Sequence, residues 1–384
     1  MTSQPGDRWD AVVIGAGPAG SIAAAGLARR GVRTLLVDRA VFPRPKLCGG
    51  CLAPAGLGAI QRAGFGSIES VRDSLAVSRL DLHSGKYMAS VGIPAYRVVD
   101  RSSFDSDLAD GAVRSGAVFR DGIRAMVHPD CTVSLEYRRG RNPSVERVRP
   151  GIVIVADGLK GGSLAEFDLF AWSVRNASLV GIGGVGERYP GELAPDAISM
   201  FHSDEGYLGV ARLPSGRADL AAAVRPSWIR RQKGSGPLEG FVRSVGLDPA
   251  SFGELRSVPG VPSLTRKRRT IEASGRVFVI GDAMGYVEPF TGEGMSWAVE
   301  SGAQVLPFAS DSLEGRYQEG AWAGVVRRER ARRTLPCRLV TGALRVPGAV
   351  RAITIGGACV PLVDRWLSHF ARVAFGATSV EPVK

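Results

Sequence analysis

The chain has few cysteines and few histidines, which narrows the kinds of site it can hold. It contains five cysteines and four histidines among 384 residues. An odd number of cysteines, spread over a long chain without a secretory signal, predicts reduced thiols and a cytoplasmic location. The histidines stand in unrelated contexts and the cysteines lack zinc-finger spacing, so we expect neither a nucleophilic triad nor a metal site.

Long apolar runs are also missing. No uncharged stretch reaches the roughly 18 residues that a membrane-spanning helix needs. The C-terminal segment from Leu335 to Phe375 instead interrupts its apolar residues with five arginines. Two interpretations stay open: helices that pack on the core, or an interfacial pair that contacts the inner face of the membrane peripherally.

Positive charge dominates, with a net charge of +12 at pH 7. Basic clusters lie at Arg230 to Lys233, Arg266 to Arg269 and Arg327 to Arg333. No homeodomain-like helix or aromatic RNA-binding strand accompanies them, so a nucleic acid partner is not expected. Contact with an anionic membrane surface, or simple solvation, is favoured instead.

A nucleotide-binding pattern opens the chain. An apolar run from Asp10 to Ile14 leads into Gly15-Ala16-Gly17-Pro18-Ala19-Gly20, and the alanine-rich segment Ser21 to Arg30 follows. A strand, a glycine turn and a helix in this order hold a pyrophosphate at the helix N-terminus. The next apolar run ends in Asp38 and Arg39, where an acid accepts hydrogen bonds from the adenosine ribose. The sequence therefore predicts a dinucleotide site formed by Gly15, Gly17, Pro18, Ala19, Gly20, Asp38 and Arg39.

A second pattern of the same spacing, Gly181 to Gly186, does not predict a second nucleotide domain. Pro190 and Pro195 follow it closely, so no helix can begin there. We interpret it as a glycine-rich strand. With one Rossmann unit only, an NADPH or NADH donor would bind transiently.

Three further motifs indicate which dinucleotide binds. Gly275 to Met295 combines a turn, a buried strand ending in Gly281-Asp282, and a glycine-rich turn before a helix, and it resembles the GD box of FAD-dependent oxidoreductases. Arg101 to Leu108 resembles an R-x-x-F-D-x-x-L motif, and Val153 to Gly158 an A-D-G motif. Together they resemble the geranylgeranyl reductase-like flavoproteins, within the p-hydroxybenzoate hydroxylase-like superfamily.

The resemblance implies FAD as the cofactor and a role for each matching residue. Asp282, after Gly281, would bind the ribityl chain, and Arg101 would approach the phosphates. Asp157 would support the flavin region. Backbone groups of Gly292, Gly294 and Met295 would lie beside the N1–C2 carbonyl edge of the flavin, where a helix N-terminus stabilises negative charge.

Departures from the family patterns favour its reductase branch. Aromatic hydroxylases carry a histidine after the GD box and a G-Q-G turn, whereas this chain has Met284-Gly285 and Gly292-Glu293-Gly294. The tryptophan pair of flavin halogenases is missing, so halogenation is not expected. Tyr207 to Pro214 matches the reductases' substrate motif only partly, because Gly209 stands where they have tryptophan, which argues against a geranylgeranyl-sized substrate.

A cysteine pair follows the first nucleotide motif. Phe42 to Leu52 resembles an F-P-R-x-K-x-C-G motif that lies against the flavin, with Cys48 as the matching cysteine. Its thiol either tunes the flavin and transfers a proton or only packs. Cys51 completes a C-x-x-C pattern, but a disulfide reductase would need the second nucleotide domain that is not predicted.

The candidate catalytic residues are Cys48, Tyr207 and Glu288, and each has a plainer alternative. Glu288 would otherwise be a solvated loop carboxylate, and Tyr207 a core or rim aromatic.

The predicted fold is α/β, with a Rossmann-type FAD-binding domain, an inserted and mostly antiparallel β-sheet substrate domain, and a helical C-terminal tail. The FAD-binding domain comprises residues 1–75, 98–165 and 265–330, the substrate domain 166–264, and the tail 331–384. Ile198 to Arg212 and Ala218 to Val224 are predicted to be neighbouring strands.

The predicted activity is reduction or oxidation of a carbon–carbon bond in a lipophilic, aromatic or polyketide-like small molecule, by hydride transfer through flavin N5. Two alternatives stay open: a monooxygenase that uses a flavin C4a-hydroperoxide, and a membrane-associated flavin electron carrier.

Overall fold

The computed structural model describes residues 8–137, 144–176, 178–232, 236–261, 263–286 and 294–330. The strands, in chain order, are β1 (Ala11–Ile14), β2 (Thr34–Val37), β3 (Cys51–Leu52), β4 (Leu75–Ser84), β5 (Tyr87–Val98), β6 (Val118–Arg120), β7 (Ile123–Val127), β8 (Val133–Tyr137), β9 (Ser144–Val148), β10 (Ile152–Val155), β11 (Trp172–Val174), β12 (Val180–Gly186), β13 (Ala197–Ser203), β14 (Gly206–Arg212), β15 (Ala218–Val224), β16 (Leu255–Val261), β17 (Arg266–Arg268), β18 (Glu272–Ala273), β19 (Val277–Val279) and β20 (Gly285–Tyr286). The α-helices are α1 (Pro18–Ala28), α2 (Pro54–Arg62), α3 (Glu69–Arg72), α4 (Arg101–Arg114), α5 (Pro226–Arg231), α6 (Pro237–Ser244), α7 (Gly294–Gln304) and α8 (Leu306–Leu313), and residues 321–330 are also helical.

A six-stranded sheet forms the centre of the first unit, in the order β18-β19-β10-β1-β2-β6. All neighbours are parallel except β18 and β19. Every residue of β1, β2 and β10 is buried, as the continuous apolar runs of parallel strands require, because helices and the β7-β8-β9 sheet pack against this sheet in one core. From β1 the chain moves to β2 on one side and later returns to β10 on the other. The strand order therefore reverses between β1 and β10, and a crevice opens at their carboxyl ends.

An eight-stranded sheet forms the second unit, in the order β16-β12-β15-β14-β13-β4-β5-β3. Its pairs are antiparallel except β13 with β4. One face packs on α5 and α6, where Trp228 and Phe241 join Leu208, Val210 and Leu220 in a buried cluster. Side chains alternate along strands, so the neighbouring residues of β14 and β15 point to the other face. Two smaller sheets, β7-β8-β9 and β11-β17-β20, complete the sheets of the described residues.

The fold confirms the predicted α/β class, with a Rossmann-type unit and a mostly antiparallel sheet. Gly181 to Gly186 lies within β12, as predicted. The stretch from Ile198 to Arg212 is not one strand but the hairpin β13–β14, and β14 pairs with β15.

The predicted division into domains leaves residues 76–97 unassigned, and they form most of β4 and β5 of the eight-stranded sheet. The other boundaries stay predictions, and the predicted helical tail, 331–384, lies outside the described residues. Within the described part of the chain, every helix is too short or too polar to cross a bilayer.

Candidate active site

The glycine turn after β1 is tightly packed on the side of the sheet and open on the side of the crevice. Gly15 has φ +103°, and a Cβ there would overlap the Ala156 carbonyl oxygen of β10. A Cβ on Gly20 would overlap the Gly15 carbonyl oxygen. A Cβ on Gly17, by contrast, would have Arg44 Nη2 as its nearest neighbour, at 3.7 Å. The first turn of α1, with proline at its start, thus presents free backbone N–H groups to an open cradle suited to a phosphate.

Asp38 lies at the end of β2 and is fixed by backbone donors. Its Oδ2 accepts a hydrogen bond from Ala16 N–H and its Oδ1 one from Ala40 N–H, both at 2.9 Å. The Arg44 guanidinium lies 3.5 Å from Asp38 and 3.2 Å from the buried Asp105. The remaining lone pairs of Asp38 face the crevice, where ribose hydroxyls would donate to them.

Two more carboxylates follow the neighbouring strands. Asp157 Oδ2, after β10, accepts hydrogen bonds from the Ser163 N–H at 3.0 Å and hydroxyl at 2.7 Å. Its Oδ1 is buried without a partner. Burial raises the pKa of Asp282, after β19, against the opposing positive charges of Lys46 and Arg101. An orphaned buried acceptor and a desolvated acid at these strand ends fit a hydroxyl-bearing ligand.

Two cations from other elements face these acids. Loss of hydration lowers the pKa of Lys46, which lies among Arg44, Arg101 and Asp282. Arg101 donates from Nε and Nη2 to Asp105, each at 2.9 Å. Burial alone would lower the Arg101 pKa, but Asp105 and the nearby Cys48 raise it above its ordinary value. Arg101 is therefore a permanent cation beside Cys48.

The segment that carries Cys48 is pressed against the eight-stranded sheet. A Cβ on Gly183 would overlap Leu47 Cδ1, and a Cβ on Gly181 would lie 3.3 Å from Leu47 Cδ2. The second glycine motif therefore makes room for Leu47. Cys48 is half-buried and Cys51 is buried, and both are free thiols. Burial raises the pKa of Cys51, so it stays protonated.

A cavity of about 760 Å³, called here the main cavity, runs from the glycine turn to the eight-stranded sheet. In the sheet wall, Ala221, Gly209 and Met200 stand side by side on adjacent strands. Ile198 and Tyr207 flank this row. Glycine and alanine add little bulk, so space remains between this wall and the strand ends that carry Asp157 and Asp282.

Most predicted site residues meet in the main cavity. They are Gly15, Gly17, Pro18, Ala19, Asp38, Arg39, Cys48, Arg101, Asp157, Tyr207, Gly281, Asp282, Gly294 and Met295. Gly20 packs behind the turn instead. Glu288 and Gly292 lie outside the described residues. The individual roles stay predictions.

Sequence reasoning assigned no role to Arg44, Lys46, Asp105 or Asp219, although each is part of this region. Arg44, Lys46 and Asp105 lie within the same motifs that assigned roles to Cys48 and Arg101, so those motifs could have identified them. Asp219 had no motif. Its only signal is that it is the one charged residue in the apolar run of β15.

Residues 8–173 match the FAD binding domain family. The open glycine turn, the fixed Asp38, the unpartnered Asp157 oxygen and the size of the main cavity fit FAD. The protein is an FAD-dependent oxidoreductase.

Its relatives confirm the resemblance to geranylgeranyl reductase-like flavoproteins. The chain is 29% identical to the menaquinone reductase of Mycolicibacterium smegmatis, over 77% of this chain and 75% of that protein. It is 28% identical to digeranylgeranylglycerophospholipid reductase 1 of Methanopyrus kandleri, over 80% of this chain and 82% of that protein.

Solved structures agree on the fold. A flavoprotein/dehydrogenase from Cytophaga hutchinsonii superimposes with a TM-score of 0.77 at 20% identity, over 97% of this chain and 93% of that one. A flavin-dependent brominase gives 0.75 at 15% identity, over 96% and 94%. Since reductase-like proteins and halogenases share this fold, the fold does not identify the reaction.

Proposed function

We propose that the protein reduces a carbon–carbon double bond in a lipophilic molecule, with hydride delivered through flavin N5. The observation that carries the proposal is the sheet wall of the main cavity, where Ala221, Gly209 and Met200 form an uncharged row. Such a row admits an apolar group against the flavin region and offers no ion to hold a phenolate. Two relatives named as reductases support the same reaction class.

Bound FAD would supply the two-electron chemistry. The chain would supply binding through the glycine turn and Asp38, exclusion of water by the apolar wall, and a proton. Saturation of a double bond needs one hydride and one proton. The Cys48 thiol lies in the main cavity and would donate this proton, and the nearby Arg101 would stabilise the thiolate left behind.

An anaerobic turnover assay tests the reaction. The holoenzyme, supplied with NADPH, NADH or dithionite, would be incubated with menaquinone and separately with a geranylgeranylated lipid, and the products analysed by mass spectrometry. We expect one product with two added hydrogen atoms, one of which becomes deuterium in D₂O. Incorporation of oxygen from labelled O₂, with no saturated product, would instead establish the monooxygenase alternative.

Two accompanying proposals need separate tests. NADPH or NADH is proposed as the electron donor, and it would bind transiently because the chain has only one nucleotide motif; rapid reduction of the flavin by either would identify it. Peripheral membrane contact through residues 335–384 is proposed from their sequence alone, and vesicle flotation of the full chain at low and high salt would test it.

A further inference from the structure

A second cavity of about 140 Å³ lies next to the main one, and we call it the small cavity. The two cavities share walls from Pro45, Lys46, Leu47, Arg101 and Val258. The small cavity alone is lined by the polar side chains of Asp100, Ser102, Arg217 and Asp219. It has room for roughly four water molecules at about 30 Å³ each, and these side chains could bond them.

Asp219 faces this region because of its place in β15. It alternates with Ala221 and Ala223, which line the main cavity, and it pairs across the sheet with Ala211 and Val185. It is 9% exposed. A Cβ on Gly50 would lie 3.1 Å from Asp219 Oδ2, so the carboxyl group lies against the turn that joins Cys48 to β3.

The charged and titratable groups around Asp219 come from four elements. Arg217 precedes β15, Asp100 and Arg101 belong to the start of α4, Cys51 lies in β3, and Lys46 lies in the segment between the cavities. Burial, helped by Asp100, raises the pKa of Asp219 to about 8 against the opposing charges of Arg101 and Arg217. At neutral pH its carboxyl group therefore holds a proton.

Cys48 lines the main cavity and Asp219 the small one, and Arg101, in the wall that the two cavities share, lies beside both residues. We propose that Asp219 reloads the Cys48 thiol with a proton in every catalytic cycle, through water that passes from the small cavity along Arg101 to the main cavity. The inference rests on the proposed function. The Cys48 S–H bond breaks and a C–H bond forms at the substrate carbon that did not receive the hydride. Arg101 holds the thiolate. The Asp219 O–H proton then passes along water to the sulfur, and the resulting carboxylate regains a proton from solvent.

The order of these transfers gives Asp219 a specific kinetic signature. In Asp219→Asn, Cys48 still holds its own proton before the first cycle, so the first turnover should proceed at the wild-type rate. Later turnovers should slow by about 100-fold, because reloading loses its proton source. Cys48→Ser should slow the first turnover as well. Asp219→Glu should restore most of the steady rate, and the wild-type steady rate should fall above pH 8.

Rapid-mixing experiments on prereduced holoenzyme with menaquinone, and with an excess of the reductant that supports turnover, separate the first turnover from the steady state. Asp81→Asn is the matched control, since Asp81 is a buried acid of the same sheet that bonds Ser90 instead of lining either cavity. Its first and later turnovers should both match the wild type. Equal steady rates in the wild type and in Asp219→Asn would overturn the proposal.

A readout without substrate keeps the two proposals distinguishable. The infrared C=O band of a protonated carboxylic acid can be followed in the holoenzyme without substrate. We expect a band that titrates near pH 8 and is missing in Asp219→Asn. Absence of this band from the wild type at neutral pH would also overturn the Asp219 proposal. Absence of a saturated product while the band is present would refute only the proposed function.

Discussion

The burial of Asp219 also predicts how the free energy of unfolding depends on pH, independently of any catalytic role. Its pKa is 3.8 in an ordinary environment and about 8 in the folded chain. At 1.36 kcal/mol per unit of pKa, this difference corresponds to about 6 kcal/mol. The figure is an upper bound, because water entering the small cavity would solvate the carboxylate.

The direction of this pH dependence follows from the linkage between proton binding and folding. An acid whose pKa is raised in the folded state contributes its full stability below pH 3.8, and it loses that contribution as the pH rises to about 8. Asparagine has nearly the same shape and no titration in this range. The stability of Asp219→Asn relative to the wild type should therefore improve between pH 4 and pH 8, by several kcal/mol, and stay constant above pH 8.

Urea unfolding of both holoenzymes at pH 4.5, 6, 7 and 8.5 measures this difference. Other titrating groups contribute equally to both proteins and cancel. A stability difference that does not change across this range would refute the reasoning, because it would mean that the carboxyl group titrates normally in the fold.

Three further substitutions test the two halves of the site. Asp38→Ala removes the acceptor of two backbone N–H groups, each worth about 1.5–3 kcal/mol when charged, so FAD affinity should fall by at least 10-fold, as measured by ultrafiltration of the bound flavin. Gly209→Val adds bulk to the sheet wall beside the flexible Met200, so bound flavin should stay at one per chain while turnover in the anaerobic assay is lost; retained turnover would contradict the proposed substrate position. Gly183→Val would collide with the Leu220 carbonyl oxygen of β15 and displace Leu47, and we expect a lower melting temperature together with a changed flavin spectrum.

The cofactor half of the site could be predicted from the sequence because its signals are local. Gly15, Gly17 and Asp38 act through the backbone of one turn and one strand end, so their spacing along the chain is also their spacing in space. Asp157 and Asp282 needed one more rule, that parallel strands end at a common edge. Together these positions predicted where the dinucleotide binds.

The substrate half depends on sheet register, which no local pattern contains. Ala221, Gly209 and Met200 become one row only when β15, β14 and β13 pair as they do. The same limit applies to β4, whose parallel pairing with β13 joins segments more than a hundred residues apart. Single-sequence periodicity shows that a strand alternates, but not which strand lies next to it.

Asp219 shows why this difference matters for function. Burial of an acid in the middle of an apolar strand costs free energy, unless a partner compensates for that cost or the acid has a function that requires it. In this fold the compensation is incomplete, since Arg217 pairs with Asp100 at 2.7 Å and Arg101 is occupied by Asp105. The carboxyl group lowers its cost by holding a proton instead. A site that must supply a proton with every hydride would benefit from such a residue. If Asp219 had only a structural role, the protein would be more stable with asparagine or leucine at this position.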